Sequence, residues 1–109
     1  MQLLCLGLNH KTAPLAVRER VAFGPEDTGE TVALIKTRLA SADAGGVTEA
    51  MILSTCNRTE IYCAAVDPKR AADSVLELIE ELKGVRTTDL QPHVYVYDCL
   101  LYTSDAADD

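Results

Sequence analysis

The sequence predicts an α+β fold of the ferredoxin-like type, βαββαβ, with a four-stranded antiparallel sheet and helices packed on one face. Three observations predict it. Short apolar runs alternate with amphipathic stretches in the order strand, helix, strand, strand, helix, strand. The second and third apolar runs are separated only by a short polar turn, as in a hairpin. Two proline-led segments carry apolar residues three and four apart, as buried helix faces do. This order is the split βαβ pattern.

Residues 3–8 form the first apolar run, ended by the turn chemistry of Asn9, His10, Lys11, Thr12, Ala13 and Pro14. Leu15, Val17, Val21 and Ala22, with Arg18, Glu19 and Arg20 between them, predict a short helix over 15–23. Gly24-Pro25-Glu26-Asp27 opens a longer helix, with proline in its first turn and acids at the positive end of its dipole. Its stripe is Val32, Ile35 and Leu39, and the small polar stretch 41–46 ends it. Residues 47–54 and 59–66 are the second and third strands. Asp67 and Pro68 read as N-cap and first residue of another helix. Its expected core stripe is Ala71, Val75, Leu78, Ile79 and Leu82, and Gly84 is its C-cap. Residues 94–97 are the fourth strand. In this topology strands one and two run the same way with strand three between them. The 9–11 loop and the 55–58 turn then share one edge of the sheet.

A chain of 109 residues suits one small domain with a modest core. With Tyr 4, Phe 1 and Trp 0, that core must be aliphatic. The net charge of −7 argues against non-specific nucleic-acid binding, although a local basic patch is still compatible with RNA. Cys5, Cys56, Cys63 and Cys99 form no CxxC, and His10 and His93 stand far apart, so no zinc site is expected. The absence of a basic leader and of a bilayer-length apolar stretch predicts a cytoplasmic protein with no membrane contact and reduced thiols.

The stretch Ser54-Thr55-Cys56-Asn57-Arg58 lies between two apolar runs. It lifts a thiol out of the sheet with a permanent cation two positions away. A neighbouring cation favours thiolate, which is the nucleophilic form. Exposed amides of the turn could hold a developing oxyanion, and the planar fork of Arg58 suits a substrate carboxylate. From pattern alone, a structural cysteine in a hairpin is the commoner case.

Two blocks carry a resemblance. The first is Gly7-Leu8-Asn9-His10-Lys11-Thr12-Ala13-Pro14, continued by Arg18-Glu19-Arg20-Val21-Ala22-Phe23. The second is Leu53-Ser54-Thr55-Cys56-Asn57-Arg58-Thr59-Glu60-Ile61-Tyr62. Together they resemble the N-terminal catalytic domain of the glutamyl-tRNA reductase family, with coverage to about Tyr97. The resemblance implies NADPH-dependent reduction of glutamyl-tRNA to glutamate-1-semialdehyde, on the route through 5-aminolevulinate to tetrapyrroles. It implies that Cys56 is the nucleophile and forms a glutamyl thioester, and that Thr55, Asn57 and Arg58 line the substrate pocket with it.

The family's later histidine, its Gly-Leu-Asp-Ser segment and its Gly-Glu motif do not follow here, and no GxGxxG occurs. NADPH is therefore expected on a domain outside this chain. Homodimerisation is expected through a helical domain that is also outside it. Residues 1–98 are expected to be an incomplete catalytic domain, inactive alone as a reductase. Residues 99–109 are expected to be a disordered tail that resembles translated adapter sequence. Possible partners are glutamyl-tRNA and the next enzyme of the pathway.

Each remaining candidate has a plainer reading. Cys5 and Cys63, inside apolar runs, are expected to act as small hydrophobes. His10 is balanced between a base near Cys56 and a loop residue bonded to backbone. His93 reads as a solvent-exposed linker residue. Lys11, Arg18, Arg20 and Arg58 could form a patch for the tRNA acceptor end, but Arg18 and Arg20 read individually as a solvated helix face. Two rival functions remain. One is another cysteine acyl-transfer enzyme, with His10 as its base. The other is a regulatory or RNA-binding module that stacks bases on Tyr62, Tyr95 and Tyr97, should those rings gather on the open sheet face.

Overall fold

The structure is a computed structural model and describes residues 2–100. Its elements are β1 (Gln2–Asn9), α1 (Leu15–Val21), α2 (Pro25–Arg38), β2 (Val47–Ser54), β3 (Arg58–Ala65), α3 (Pro68–Lys83), α4 (Thr87–Leu90) and β4 (Tyr95–Leu100). The strands form one sheet in the order β2-β3-β1-β4, with every neighbouring pair antiparallel. This is the expected α+β arrangement. β3 lies between β1 and β2, so the end of β1 and the β2–β3 turn do meet, with Asn9 opposite Arg58.

Alternation along the strands sorts their side chains onto two faces. Leu4, Leu6 and Leu8 of β1 and Ile61, Cys63 and Ala65 of β3 are buried. They pack with Ile35 and Leu39 of the α2 segment and with Ala71, Val75, Leu78 and Ile79 of α3. The alternate positions, including Leu3, Cys5, Met51, Leu53, Arg58, Glu60, Tyr62, Tyr95 and Tyr97, form the opposite face. Asp67 caps α3 by accepting from the Arg70 amide at 3.2 Å, and Gly84 ends it at φ 70°.

Three details differ from expectation. Leu82 is 39% exposed rather than core. The chain turns at Gly84, and Val85 and Leu90, which follow it, are the buried residues there. α4 is too short to leave an apolar period, and Leu90 is its one buried residue. β4 continues to Leu100, so Cys99 and Leu100 pair with Leu3 and Gln2 instead of opening the tail. The rest of the expected tail, 101–109, lies outside the described residues.

Gly29 sits within α2, and a Cβ there would meet nothing within 4 Å. Gly29→Ala is expected to stabilise the fold by about 0.5–1 kcal/mol, because alanine restricts the unfolded chain and favours helix. Thermal unfolding checks this, with a rise of several degrees expected.

Candidate active site

The β2–β3 turn is built by hydroxyl groups. The Thr55 amide donates to the Arg58 carbonyl at 2.8 Å. Thr55 Oγ1 accepts from the amides of Asn57 at 3.2 Å and Arg58 at 3.3 Å. Behind it, Ser54 Oγ accepts from the Phe23 amide at 3.0 Å and lies 3.3 Å from Thr59 Oγ1. The turn is thus tied to the α1–α2 junction and holds Cys56 and Asn57 out into solvent. Thr55, one of the expected pocket residues, also shapes the turn. Two of the amides considered for an oxyanion hole are likewise directed at its hydroxyl.

The neighbouring loop is equally ordered by side chains. Asn9 Oδ1 accepts from the amides of Lys11 at 2.9 Å and Thr12 at 3.1 Å, and Thr12 Oγ1 accepts from the Asn9 amide at 3.0 Å. Arg18 joins loop and turn. Its Nη1 donates to the Ala13 carbonyl at 2.8 Å and its Nε to the Cys56 carbonyl at 3.4 Å. The solvated-face reading of Arg18 is therefore corrected: α1 carries it half-buried between the two segments. His93 is corrected too, since it is half-buried with Nδ1 3.0 Å from the Thr12 carbonyl oxygen. His10, Lys11 and Arg20 are exposed.

Arg58 follows the turn onto the open sheet face, where Nη1 lies 3.7 Å from Glu60 Oε1. Glu60 is only 7% exposed. It accepts from Tyr62 at 2.7 Å and from Tyr95 at 2.5 Å. Burial alone would raise the Glu60 pKa. The hydrogen bonds from Tyr95 and Tyr62 and the charge of Arg58 outweigh it, and the carboxyl stays below its ordinary 4.5. The hydrogen bond to Glu60 raises the Tyr62 phenol, and burial followed by the Glu60 bond raises that of Tyr95. The Tyr95 and Tyr97 rings lie 5.4 Å apart. In the sequence Glu60 stands only as one residue of the second resemblance block, with no role of its own. Its alternation with Arg58 and Tyr62 on one strand places the three on one face, a signal already present in the sequence.

The cysteines separate by environment. Burial pushes the Cys63 thiol up to about 11, and burial also raises Cys5 against the opposing Tyr62 hydrogen bond. Cys56 is exposed. Iodoacetamide at pH 7.5 is therefore expected to modify Cys56 first, half-buried Cys5 more slowly, and buried Cys63 only on unfolding. Peptide mass spectrometry over a time course checks the order. Among the described residues no cluster of His, Cys, Asp and Glu could hold a metal ion, and no helix is long and apolar enough to cross a membrane.

Fold and site together define a small α+β domain that presents a cysteine, an asparagine and an arginine on one hydroxyl-braced turn. The family model of the glutamyl-tRNAGlu reductase N-terminal domain matches residues 6–101. The chain belongs to that family. Among solved structures it is similar to glutamyl-tRNA reductase from Methanopyrus kandleri, with 23% identity and a TM-score of 0.51. The match covers 86% of this chain and 18% of that one, and at this identity it speaks for the fold.

Proposed function

We propose that this chain supplies the acyl-accepting cysteine of an NADPH-dependent glutamyl-tRNA reductase in tetrapyrrole biosynthesis. The observation that supports this best is the exposed Cys56, held on a braced turn beside Arg58 within the family match. Cys56 Sγ attacks the carbonyl carbon of the glutamyl ester. The C–S bond forms, the ester C–O bond breaks, and the thiol proton ends on the released ribose hydroxyl. Thiolate is a strong nucleophile near neutral pH, and a thioester stays electrophilic enough for reduction. Arg58 takes the free side-chain carboxylate of the glutamyl group, with Asn57 beside it.

The strand-to-helix connections here run through Asn9–Pro14 and Asp67–Pro68 rather than a glycine-rich turn, so these residues do not fit a dinucleotide. NADPH and the dimer contact are assigned to parts of a longer protein, and this chain's share ends at the thioester. A reducing cytosol would keep Cys56 free. The test is to incubate the longer enzyme with glutamyl-tRNA without NADPH and map the adduct by mass spectrometry. A glutamyl group on Cys56 is expected, and no adduct there would overturn the assignment.

One observation favours a second reading. Tyr62, Tyr95 and Tyr97 do gather on the open face, as base stacking would require. A buried carboxylate at their centre opposes phosphate, which makes this the weaker reading. Quenching of tyrosine fluorescence by a short single-stranded RNA at physiological salt would favour it.

A further inference from the structure

We propose that Glu60 is a positioning residue for Arg58: clamped by Tyr62 and Tyr95 over the bare backbone of Gly7, it aims the guanidinium beside the Cys56 turn. The inference rests on reading Arg58 as the group that takes the substrate carboxylate.

Several observations point to a built device. A buried carboxylate is costly unless its oxygens are satisfied, and here each oxygen accepts a tyrosine hydroxyl. Gly7 stands opposite both Glu60 and Tyr95 in the sheet. A Cβ on Gly7 would fall 2.7 Å from Glu60 Cγ, so the side chain lies in space that only glycine leaves open. The same face exposes Met51 at 56% and Leu53 at 38%, so an acid is not what simple packing there would select.

The geometry suits aiming better than neutralisation. Arg58 touches Glu60 through one nitrogen at 3.7 Å, and its side chain remains 47% exposed. Most of its five donors therefore stay available to a ligand. A free arginine must give up considerable rotamer freedom to pair bidentately. An arginine already held along one edge gives up less, and that gain belongs to binding. The negative charge of Glu60 also weakens the pull of Arg58 on a second carboxylate. The two effects have opposite signs, so experiment separates them.

Glu60→Gln preserves shape and removes the charge. In the longer enzyme, single-turnover acylation of Cys56 is measured across glutamyl-tRNA concentrations. If Glu60 aims Arg58, the half-saturating concentration rises about tenfold or more, with the saturating rate changed little. An unchanged or lower half-saturating concentration overturns the proposal, because it marks Glu60 as a structural or merely neutralising charge. The Arg58 Nη–Hη signals, which include the nitrogen facing Glu60, are followed by low-temperature NMR in the 109-residue chain as an independent readout. A slowly exchanging signal that collapses in Glu60→Gln supports the proposal, and one that persists overturns it. If the parent enzyme never acylates Cys56, the functional reading fails, and the NMR comparison still decides whether Glu60 holds Arg58. Should Glu60→Gln not fold, Tyr95→Phe loosens the same carboxylate and is expected to shift both readouts in the same direction by about threefold. No shift in either would overturn the proposal.

Discussion

Cys56→Ser is expected to abolish glutamyl transfer, by about 10⁴-fold or more. Loss of a nucleophile usually removes nearly all of the covalent step. A serine hydroxyl stays protonated at neutral pH unless a base activates it, and the nearby imidazoles are poorly placed for that role. His93 is committed to the Thr12 carbonyl, and His10 is exposed to solvent. Stability should change by no more than about 0.5 kcal/mol, because Cys56 is exposed and the turn is braced by Thr55 and Ser54. Lost transfer with an unchanged melting temperature is therefore the expected pair of results. A glutamyl adduct that survives in Cys56→Ser would remove the nucleophile assignment.

Gly7→Ala is expected to be among the most destabilising single-atom additions in the described domain, costing about 2–4 kcal/mol. The new methyl would lie 2.7 Å from both the Thr59 carbonyl oxygen and Glu60 Cγ, in the middle of a central strand. Overpacking of this kind costs about 1–3 kcal/mol. Displacing Glu60 adds the loss of hydrogen bonds to a buried charge. For a domain of this size the melting temperature should fall by roughly 10–20 °C. Gly29→Ala is the control, since the same methyl has open space there. A Gly7→Ala variant as stable as the parent would show that Glu60 can leave its position freely, which would also undercut its role beside Arg58.

The two substitutions probe parts of the site that differ in how openly the chain shows them. Cys56 and Arg58 were visible from residue type and turn context. Arg18 was not, because its flanking Glu19 and Arg20 give it the look of a solvent-facing helix residue. Its partners lie in the segment just before its helix and in a turn 38 residues away. The Thr55 hydroxyl was legible as polar, but not as the group that holds the turn.

What the sequence by itself determined are the features governed by local periods and local caps. These are the strand and helix order, the buried stripe of α3 apart from Leu82, the Asp67 cap and the Gly84 stop. Each depends on neighbours within a few residues, so the chain displays them directly. The tertiary structure alone decided the partners: Arg18 on the Cys56 carbonyl, His93 on Thr12 across 81 residues, and Tyr95 on Glu60 across 35. Those pairings depend on strand register and on where α1 and the segment before β4 settle against the sheet. A buried carboxylate is tolerable only once such distant donors have been brought to it. For that reason Glu60 looks like an ordinary surface acid along the chain and becomes a fixed anchor only in the fold.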